Sequence, residues 1–110
     1  IVKIIRSFLK INCKLPQLNE KLLDFVNKNN LEKNIFKEFK SIQNLKKLNQ
    51  EVIFITNFGR NLEYYTGIVF EIFAKKKEIA RGGRYDKLLK SLGAKKNIPA
   101  VGAAINLNNI

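Results

Sequence analysis

The spacing of apolar residues changes near residue 50, and this change is the strongest constraint on the fold. Up to residue 50 the apolar side chains recur every three or four positions, and the stretch contains no glycine and one proline, Pro16. Beyond residue 50 they form runs rich in β-branched and aromatic residues. The first spacing is typical of helices and the second of strands. We therefore predict an α+β protein, with a helical segment over residues 1–50 and a mostly antiparallel sheet over residues 51–110.

Three short helices are predicted in the first segment. Their apolar stripes are Ile1, Ile4, Ile5, Phe8 and Leu9, then Leu18, Leu22, Phe25 and Val26, and then Leu31, Ile35, Phe36, Phe39, Ile42 and Leu45. Pro16 and the polar stretch 27–30 would separate them. Helices this short need a partner surface, because intrinsic propensity alone does not hold them in water.

The second segment is predicted to hold four strands and one helix. In chain order these are a strand over 52–58, a strand over 68–74, a turn at 75–77, a strand over 78–81, a helix over 85–92 and a strand over 100–107. The first strand lacks charged residues, so we expect both of its faces to be buried. The next two strands should form an antiparallel hairpin, and Gly93 should end the helix.

Lysine dominates the charge of the chain. There are 21 Lys and Arg against 9 Asp and Glu, a net charge of +12, and 17 of the basic residues are Lys. Residues 1–50 carry 11 basic and 4 acidic side chains and residues 51–110 carry 10 and 5, so the charge is spread evenly. Nucleic-acid-binding surfaces more often cluster arginine. We therefore expect solvated surface lysines, with a basic nucleic-acid-binding module as an alternative.

Several classes of protein are excluded by residues that the chain lacks. It has no His, and Cys13 is its only cysteine. This excludes imidazole bases, disulfides and thiolate clusters, and we expect neither a metal nor a cofactor. No apolar run approaches the roughly 18 residues of a transmembrane helix, so we expect a cytosolic protein without a membrane. Because the first helix lacks a cap at Ile1, we expect the chain to be the C-terminal part of a longer protein.

The segment between the first two predicted strands holds the first candidate site, Arg60 with Tyr64 and Tyr65. The planar fork of Arg binds a carboxylate or phosphate at two points. A Tyr hydroxyl can hold a ring nitrogen or an amine. Adjacent strand residues face opposite ways, so we expect only one of the two rings in a given pocket. The structural alternative is a hairpin corner with a surface ion pair between Arg60 and Glu63.

The double glycine Gly82 and Gly83, followed by Tyr85 and Asp86, is the second candidate site. We predict that it leaves a strand and enters a helix, where the backbone could approach a ligand and helix amides could face an anion. A simple turn, with Asp86 favourably placed at the helix N-terminus, is the structural alternative. The small side chains of residues 99–105 would let another element or a ligand come close.

Taken together, three motifs resemble the histidyl-tRNA synthetase family. Residues 61–73 read NLEYYTGIVFEIF, residues 82–89 read GGRYDKLL and residues 99–105 read PAVGAAI. The family contains the synthetases and their relative, the regulatory subunit of ATP phosphoribosyltransferase. The resemblance covers about residues 51–110, and it implies the C-terminal part of a class II synthetase-like antiparallel sheet in a single incomplete domain.

The resemblance also implies a histidine-binding site. In the first motif of the family an Arg contacts the reacting carboxylate and phosphate and a Tyr helps bind the imidazole of histidine; Arg60 and Tyr65 stand at those places. Asn61 and Glu63 replace the Gly and Asp of the synthetases. In the second motif a Tyr lines the same pocket. The histidine-binding residues implied are Arg60, Tyr64, Tyr65, Gly82, Gly83 and Tyr85.

Residues 106–110 depart from the synthetase pattern. They read NLNNI, whereas a synthetase continues with Gly-hydrophobic-Glu-Arg, in which the Arg holds ATP. Adenylation needs that charge on the phosphates. The resemblance therefore implies a non-catalytic regulatory subunit that joins the catalytic subunit of ATP phosphoribosyltransferase in a hetero-oligomer. It would be needed for activity and would take part in histidine feedback in the first step of histidine biosynthesis. A fragment of a histidyl-tRNA synthetase, an aminoacyl-tRNA ligase, is the alternative.

Overall fold

The computed structural model describes residues 1–58 and 64–110, which divide into two compact units, Ile1–Phe58 and Gly59–Ile110. Each unit combines helices with an antiparallel sheet. The predicted α+β class is therefore confirmed. Within the described ranges, none of the helices has the length and apolar character needed to cross a membrane.

The first unit contains two of the three predicted helices as α-helices. Its elements are α1 (Val2–Phe8), β1 (Asn12–Lys14), a 3₁₀ turn (Leu15–Gln17), α2 (Leu18–Lys28), a 3₁₀ helix (Lys37–Leu48) and β2 (Ile53–Ile55). Pro16 lies at the start of the 3₁₀ turn and separates the helices, as predicted. No side chain caps the N-terminus of α1, so the expectation that the first helix lacks a cap is confirmed.

The core of the first unit is built on the apolar stripe of α2. All four residues of that stripe, Leu18, Leu22, Phe25 and Val26, are buried. The strand β1 pairs antiparallel with β2, with Cys13 opposite Phe54, and the side chain of Cys13 joins this core. Burial raises the pKa of the Cys13 thiol. The hydroxyl of Thr56 donates to the carbonyl of Phe8 at 2.6 Å, which ties the end of β2 to the end of α1.

The third predicted helix forms as a 3₁₀ helix rather than an α-helix. Its apolar residues fall at every third position, at Phe36, Phe39, Ile42, Leu45 and Leu48. A 3₁₀ helix has three residues per turn, so such a stripe lies along a single face, whereas it would wind around an α-helix. Ile42 is the member of this stripe that is buried, with 6% of its surface exposed. The helix ends at Asn49, which adopts a left-handed conformation.

The prediction for residues 52–58 was wrong in length and in burial. The strand β2 covers only Ile53–Ile55, and a turn begins at Thr56. Ile53 is 55% exposed and Ile55 is 38% exposed, while Phe54 between them packs on the core. The physical reason is that β2 belongs to a two-stranded sheet with its core on one side, so the alternate side chains stay in contact with solvent.

The second unit is a three-stranded antiparallel sheet with short helical turns. Its elements are β3 (Val69–Ala74), β4 (Lys77–Arg84), α3 (Leu88–Ser91), β5 (Val101–Ile105) and a 3₁₀ turn (Leu107–Asn109), and the strand order is β3-β4-β5. The predicted hairpin is confirmed. Its two-residue loop consists of Lys75 and Lys76, both with positive φ, at 49° and 66°. The helix predicted over 85–92 is much shorter, and Gly93, with a φ of 104°, follows it.

The predicted strand-to-helix loop at Gly82 and Gly83 was wrong. Both glycines lie inside β4, opposite Phe70 and Val69 of β3, and both are buried. Glycine is required at both positions because neighbouring groups approach too closely to leave room for a side chain. It is not required there by a turn. Consequently the amides at this position pair with other strands and do not face a ligand as a helix N-terminus would.

Candidate functional site

Three tyrosine rings form one aromatic cluster in the second unit. The ring centroids of Tyr64 and Tyr65 lie 4.7 Å apart, and those of Tyr64 and Tyr85 lie 5.8 Å apart in an edge-to-face arrangement. The centroids of Tyr65 and Tyr85 are 6.4 Å apart. These spacings are those of interacting aromatic pairs. The structure therefore brings together the tyrosines of two separate sequence motifs.

This arrangement contradicts the expectation that only one of two adjacent tyrosines could face a given pocket. That expectation required Tyr64 and Tyr65 to lie in a strand, but β3 begins only at Val69. Outside a strand the side chains need not alternate, so both rings reach Tyr85.

Glycines form the surface on which two of these rings lie. A Cβ atom on Gly83 would stand 2.8 Å from Cε1 of Tyr65, and one on Gly102 would overlap the hydroxyl oxygen of Tyr85. The two glycines are directly opposite each other in the ladder between β4 and β5. Their missing side chains create the space that the rings fill. The small-residue strand thus admits another element closely, as its composition predicted.

Asp86 connects the segments that carry the tyrosines. Its carboxylate accepts from Nε of Arg84 at 2.8 and 3.0 Å and from the backbone N–H of Ala100 at 3.2 Å. Its own backbone N–H donates to the hydroxyl of Thr66 at 2.9 Å. The hydrogen bond from Arg84 is the largest cause that lowers the pKa of Asp86, and the bond from Ala100 acts in the same direction. Asp86 therefore serves these contacts rather than the N-terminus of α3.

The hydroxyl of Tyr65 has a raised pKa. Burial is the largest cause, followed by the hydrogen bond and the electrostatic interaction with Tyr64. The positive charge of Arg81 opposes the rise in the pKa of Tyr65. Arg81 is two residues before Gly83 and directly opposite Glu71, so strand periodicity puts this charged pair on the ring-bearing face. At neutral pH the Tyr65 hydroxyl thus stays protonated and can donate.

The predicted site residues fall into three groups. Tyr64, Tyr65 and Tyr85 come together in one cluster, and Gly83 lies directly beneath Tyr65. Gly82 faces the other side of the sheet, where a Cβ atom would stand 2.9 Å from Cζ of Phe70. Arg60, together with Asn61 and Glu63, lies outside the described residues.

Four residues of the site were not among the predicted ligands: Thr66, Arg81, Asp86 and Gly102. The sequence held a signal for two of them, since Gly102 lies in a stretch of mostly small residues and Asp86 directly follows a predicted site residue. The contact between Thr66 and Asp86 joins positions 20 residues apart, and no local pattern reveals it. Within 1–58 and 64–110, no group of three or more His, Cys, Asp or Glu residues could hold a metal ion.

Comparison with known proteins places the chain in a family. Residues 1–110 match the family model described as histidyl-tRNA synthetase. A protein of Agrobacterium fabrum named ATP phosphoribosyltransferase regulatory subunit is 36% identical over 98% of this chain and 31% of its own length. Proteins with the same name are 49% identical in Brucella anthropi, over 56% of this chain and 17% of theirs, and 56% identical in Mesorhizobium japonicum, over 48% and 15%.

The chain spans less than a third of the length of these relatives. No solved structure matches it. The family model nevertheless covers every residue from 1 to 110, including the helical first half in which we had identified no motif. The chain belongs to the histidyl-tRNA synthetase family.

Proposed function

We propose that this chain is part of a non-catalytic regulatory subunit of ATP phosphoribosyltransferase, and that the tyrosine cluster binds free histidine. In this proposal the subunit works in the cytoplasm, joins the catalytic subunit in a hetero-oligomer, is needed for its activity and makes it sensitive to histidine. The observation that supports the proposal most is the contact of Tyr64, Tyr65 and Tyr85 over paired glycines, on a chain whose relatives carry that name.

The chemistry of the cluster suits an imidazole. A neutral imidazole has one nitrogen that accepts and one that donates, and a Tyr hydroxyl can meet either need. The hydroxyl of Tyr65, whose pKa is raised, can donate to the accepting nitrogen. Aromatic faces around the ring would add stacking contacts. The carboxylate of histidine would then be held by Arg60, the residue that stands at the carboxylate-binding position of the family motif.

Loss of catalysis fits the residues at 106–110. Amino-acid activation needs cationic groups against the phosphates of ATP, and this stretch carries only Asn, Leu and Ile. Feedback would then be a linkage effect, in which histidine binds one state of the assembly better than another. Couplings of this kind are typically about 1–3 kcal/mol.

Histidine binding is tested by titration calorimetry on the full chain. We expect Tyr65→Phe, which removes only the hydroxyl, to weaken histidine binding roughly tenfold, in line with about 1.4 kcal/mol for one hydrogen bond. Tyr85→Ala should weaken it further because it removes a whole ring of the cluster. Lys75→Ala, in the hairpin loop, serves as the control and should bind as the wild type does. Equal affinities for all four proteins would contradict the assignment of the pocket.

The regulatory role is tested by mixing the protein with a catalytic subunit of ATP phosphoribosyltransferase. Activity should rise on mixing and should become sensitive to histidine. A catalytic subunit whose rate and inhibition do not change would refute the role even if histidine binds.

A synthetase fragment is the second candidate, and the match to the synthetase family model over residues 1–110 favours it. It predicts histidine-dependent exchange of pyrophosphate into ATP by the longer protein of which the chain would be a fragment. The regulatory proposal predicts that this longer protein binds histidine without such exchange, so the assay separates the two candidates when it is made on that protein.

A further inference from the structure

Asp86 lies at the point where three segments of the second unit meet. It bonds to Arg84 at the end of β4, to Ala100 just before β5, and to Thr66 ahead of β3. Two backbone hydrogen bonds support the same junction, from Thr66 N–H to the carbonyl of Arg84 and from Tyr85 N–H to the carbonyl of Ala100, each 2.9 Å long. A single side chain and its backbone amide thus link all three.

Two of the three tyrosines in the cluster are adjacent to a residue of this junction. Tyr65 directly precedes Thr66, and Tyr85 directly precedes Asp86. Thr66, Asp86 and Ala100 all lie just beyond the ends of the strands, where the two backbone hydrogen bonds and the bonds to Asp86 take the place of the ladders. The directions in which the rings leave the backbone there depend on the local hydrogen bonds. Among these, the bonds to the carboxylate are charge-assisted and hence the stronger ones.

We propose that Asp86 is a positioning residue for the aromatic cluster, acting with Thr66 as a clamp that holds Tyr64 and Tyr65 against Tyr85. It does not touch the ligand. The part of the inference that concerns affinity for histidine rests on the proposed function, whereas the part that concerns the geometry of the rings does not.

The sequence provides a selective readout for this clamp. The chain has three tyrosines and no tryptophan, and all three tyrosines are in the cluster. The tyrosine band of the near-ultraviolet circular dichroism spectrum therefore reports on the cluster alone. In the full chain, Asp86→Ala removes the bonds to Arg84 and Ala100 but keeps the backbone amide that donates to Thr66, so it should lose part of this band while the far-ultraviolet spectrum is retained. Asp86→Asn keeps an acceptor for Ala100 and should lose less.

Asp24→Asn is the matched control. Asp24 also accepts a 2.8 Å bond from a cation, Lys28, but it lies in the first unit. Its substitution removes the same charge and should leave the tyrosine band unchanged. A band that falls equally in Asp24→Asn and Asp86→Asn would overturn the proposal, because the effect would then follow net charge and not the clamp.

A second pair of variants decides the matter if Asp86→Ala does not fold. Thr66→Val removes the acceptor for the Asp86 amide at nearly constant shape and should reduce the tyrosine band, whereas Thr66→Ser keeps the hydroxyl and should restore it. If folded Thr66→Val keeps the full band, the clamp is refuted.

Titration with histidine separates this inference from the proposed function. We expect Asp86→Asn to bind histidine roughly tenfold more weakly than the wild type, about 1.4 kcal/mol. A wild type that binds no histidine, together with a band that depends on Asp86, would contradict the proposed function and support the clamp. A wild type that binds histidine, together with a tyrosine band that does not change in the Asp86 and Thr66 variants, would support the proposed function and contradict the clamp.

Discussion

At the scale of single residues, the absence of a Cβ atom matters most at Gly83 and Gly102. Each is opposite the other in the ladder, and each lies under a ring, of Tyr65 and Tyr85 respectively. A side chain at either position would compete with a ring for the same volume, and a close-packed interior does not yield that volume freely.

We expect Gly83→Ala to destabilise the protein by about 1–3 kcal/mol, the usual cost of overpacking. The new methyl group would stand 2.8 Å from both the Tyr65 ring and the carbonyl oxygen of Ile68, and the carbonyl belongs to backbone that cannot rotate away. Gly67→Ala is the control, because its nearest contact is 3.3 Å away on the flexible side chain of Arg84. Denaturant unfolding measures both. Equal costs would show that the ring contact is unimportant.

At the scale of elements, the 3₁₀ helix Lys37–Leu48 contributes to the core through one face. Ile42 is 6% exposed and belongs to the core cluster, whereas Leu48 on the same stripe is 58% exposed. We expect Ile42→Ala to cost about 2–5 kcal/mol and Leu48→Ala no more than about 0.5 kcal/mol. Urea unfolding of the two variants tests this. Similar losses would mean that the helix does not pack through Ile42.

The sequence pattern correctly predicted those elements that are formed by residues close together in the sequence. The stripe of α2 and the hairpin of β3 and β4 were predicted correctly, because helical spacing and a turn between two strands are properties of short stretches. Pairing of β1 with β2 joins residues about forty apart, and nothing near Cys13 reveals it. The three-residue period of the 3₁₀ helix was present in the sequence, but it is close enough to 3.6 to be read as an α-helix.

In the candidate site, too, the features set by nearby residues were predicted and those set by distant residues were not. The motifs supplied its tyrosines, but their mutual contact depends on where β3 begins, and that boundary is set by cross-strand pairing. The structural alternative for the second motif puts Asp86 at a helix N-terminus, because the sequence predicts a helix that begins at Tyr85. In the structure α3 begins at Leu88, which leaves the carboxylate free of the helix and bound to Arg84 and Ala100.

At the scale of the whole molecule, the net charge of +12 is spread along the sequence and is not concentrated in one half. Both halves of the sequence carry a similar excess of lysine. Weak binding to DNA at low salt is therefore expected from charge alone, and it should disappear near physiological ionic strength, at about 0.15 M. Fluorescence anisotropy with a labelled duplex across a salt series tests this. Binding that persists at that salt would favour a nucleic-acid role.

The loop of Lys75 and Lys76 has a consequence for how the second unit folds. Two-residue hairpin loops with positive φ at both positions favour Asn-Gly, because that conformation is unfavourable for residues with a bulky side chain. With two lysines the conformation of the loop opposes formation of the turn, so we do not expect the hairpin to begin folding there. We therefore expect its register to be set by pairing at the opposite end, where Val69 meets Gly83. The end of the hairpin that bears the aromatic cluster is thus also where we expect its folding to begin.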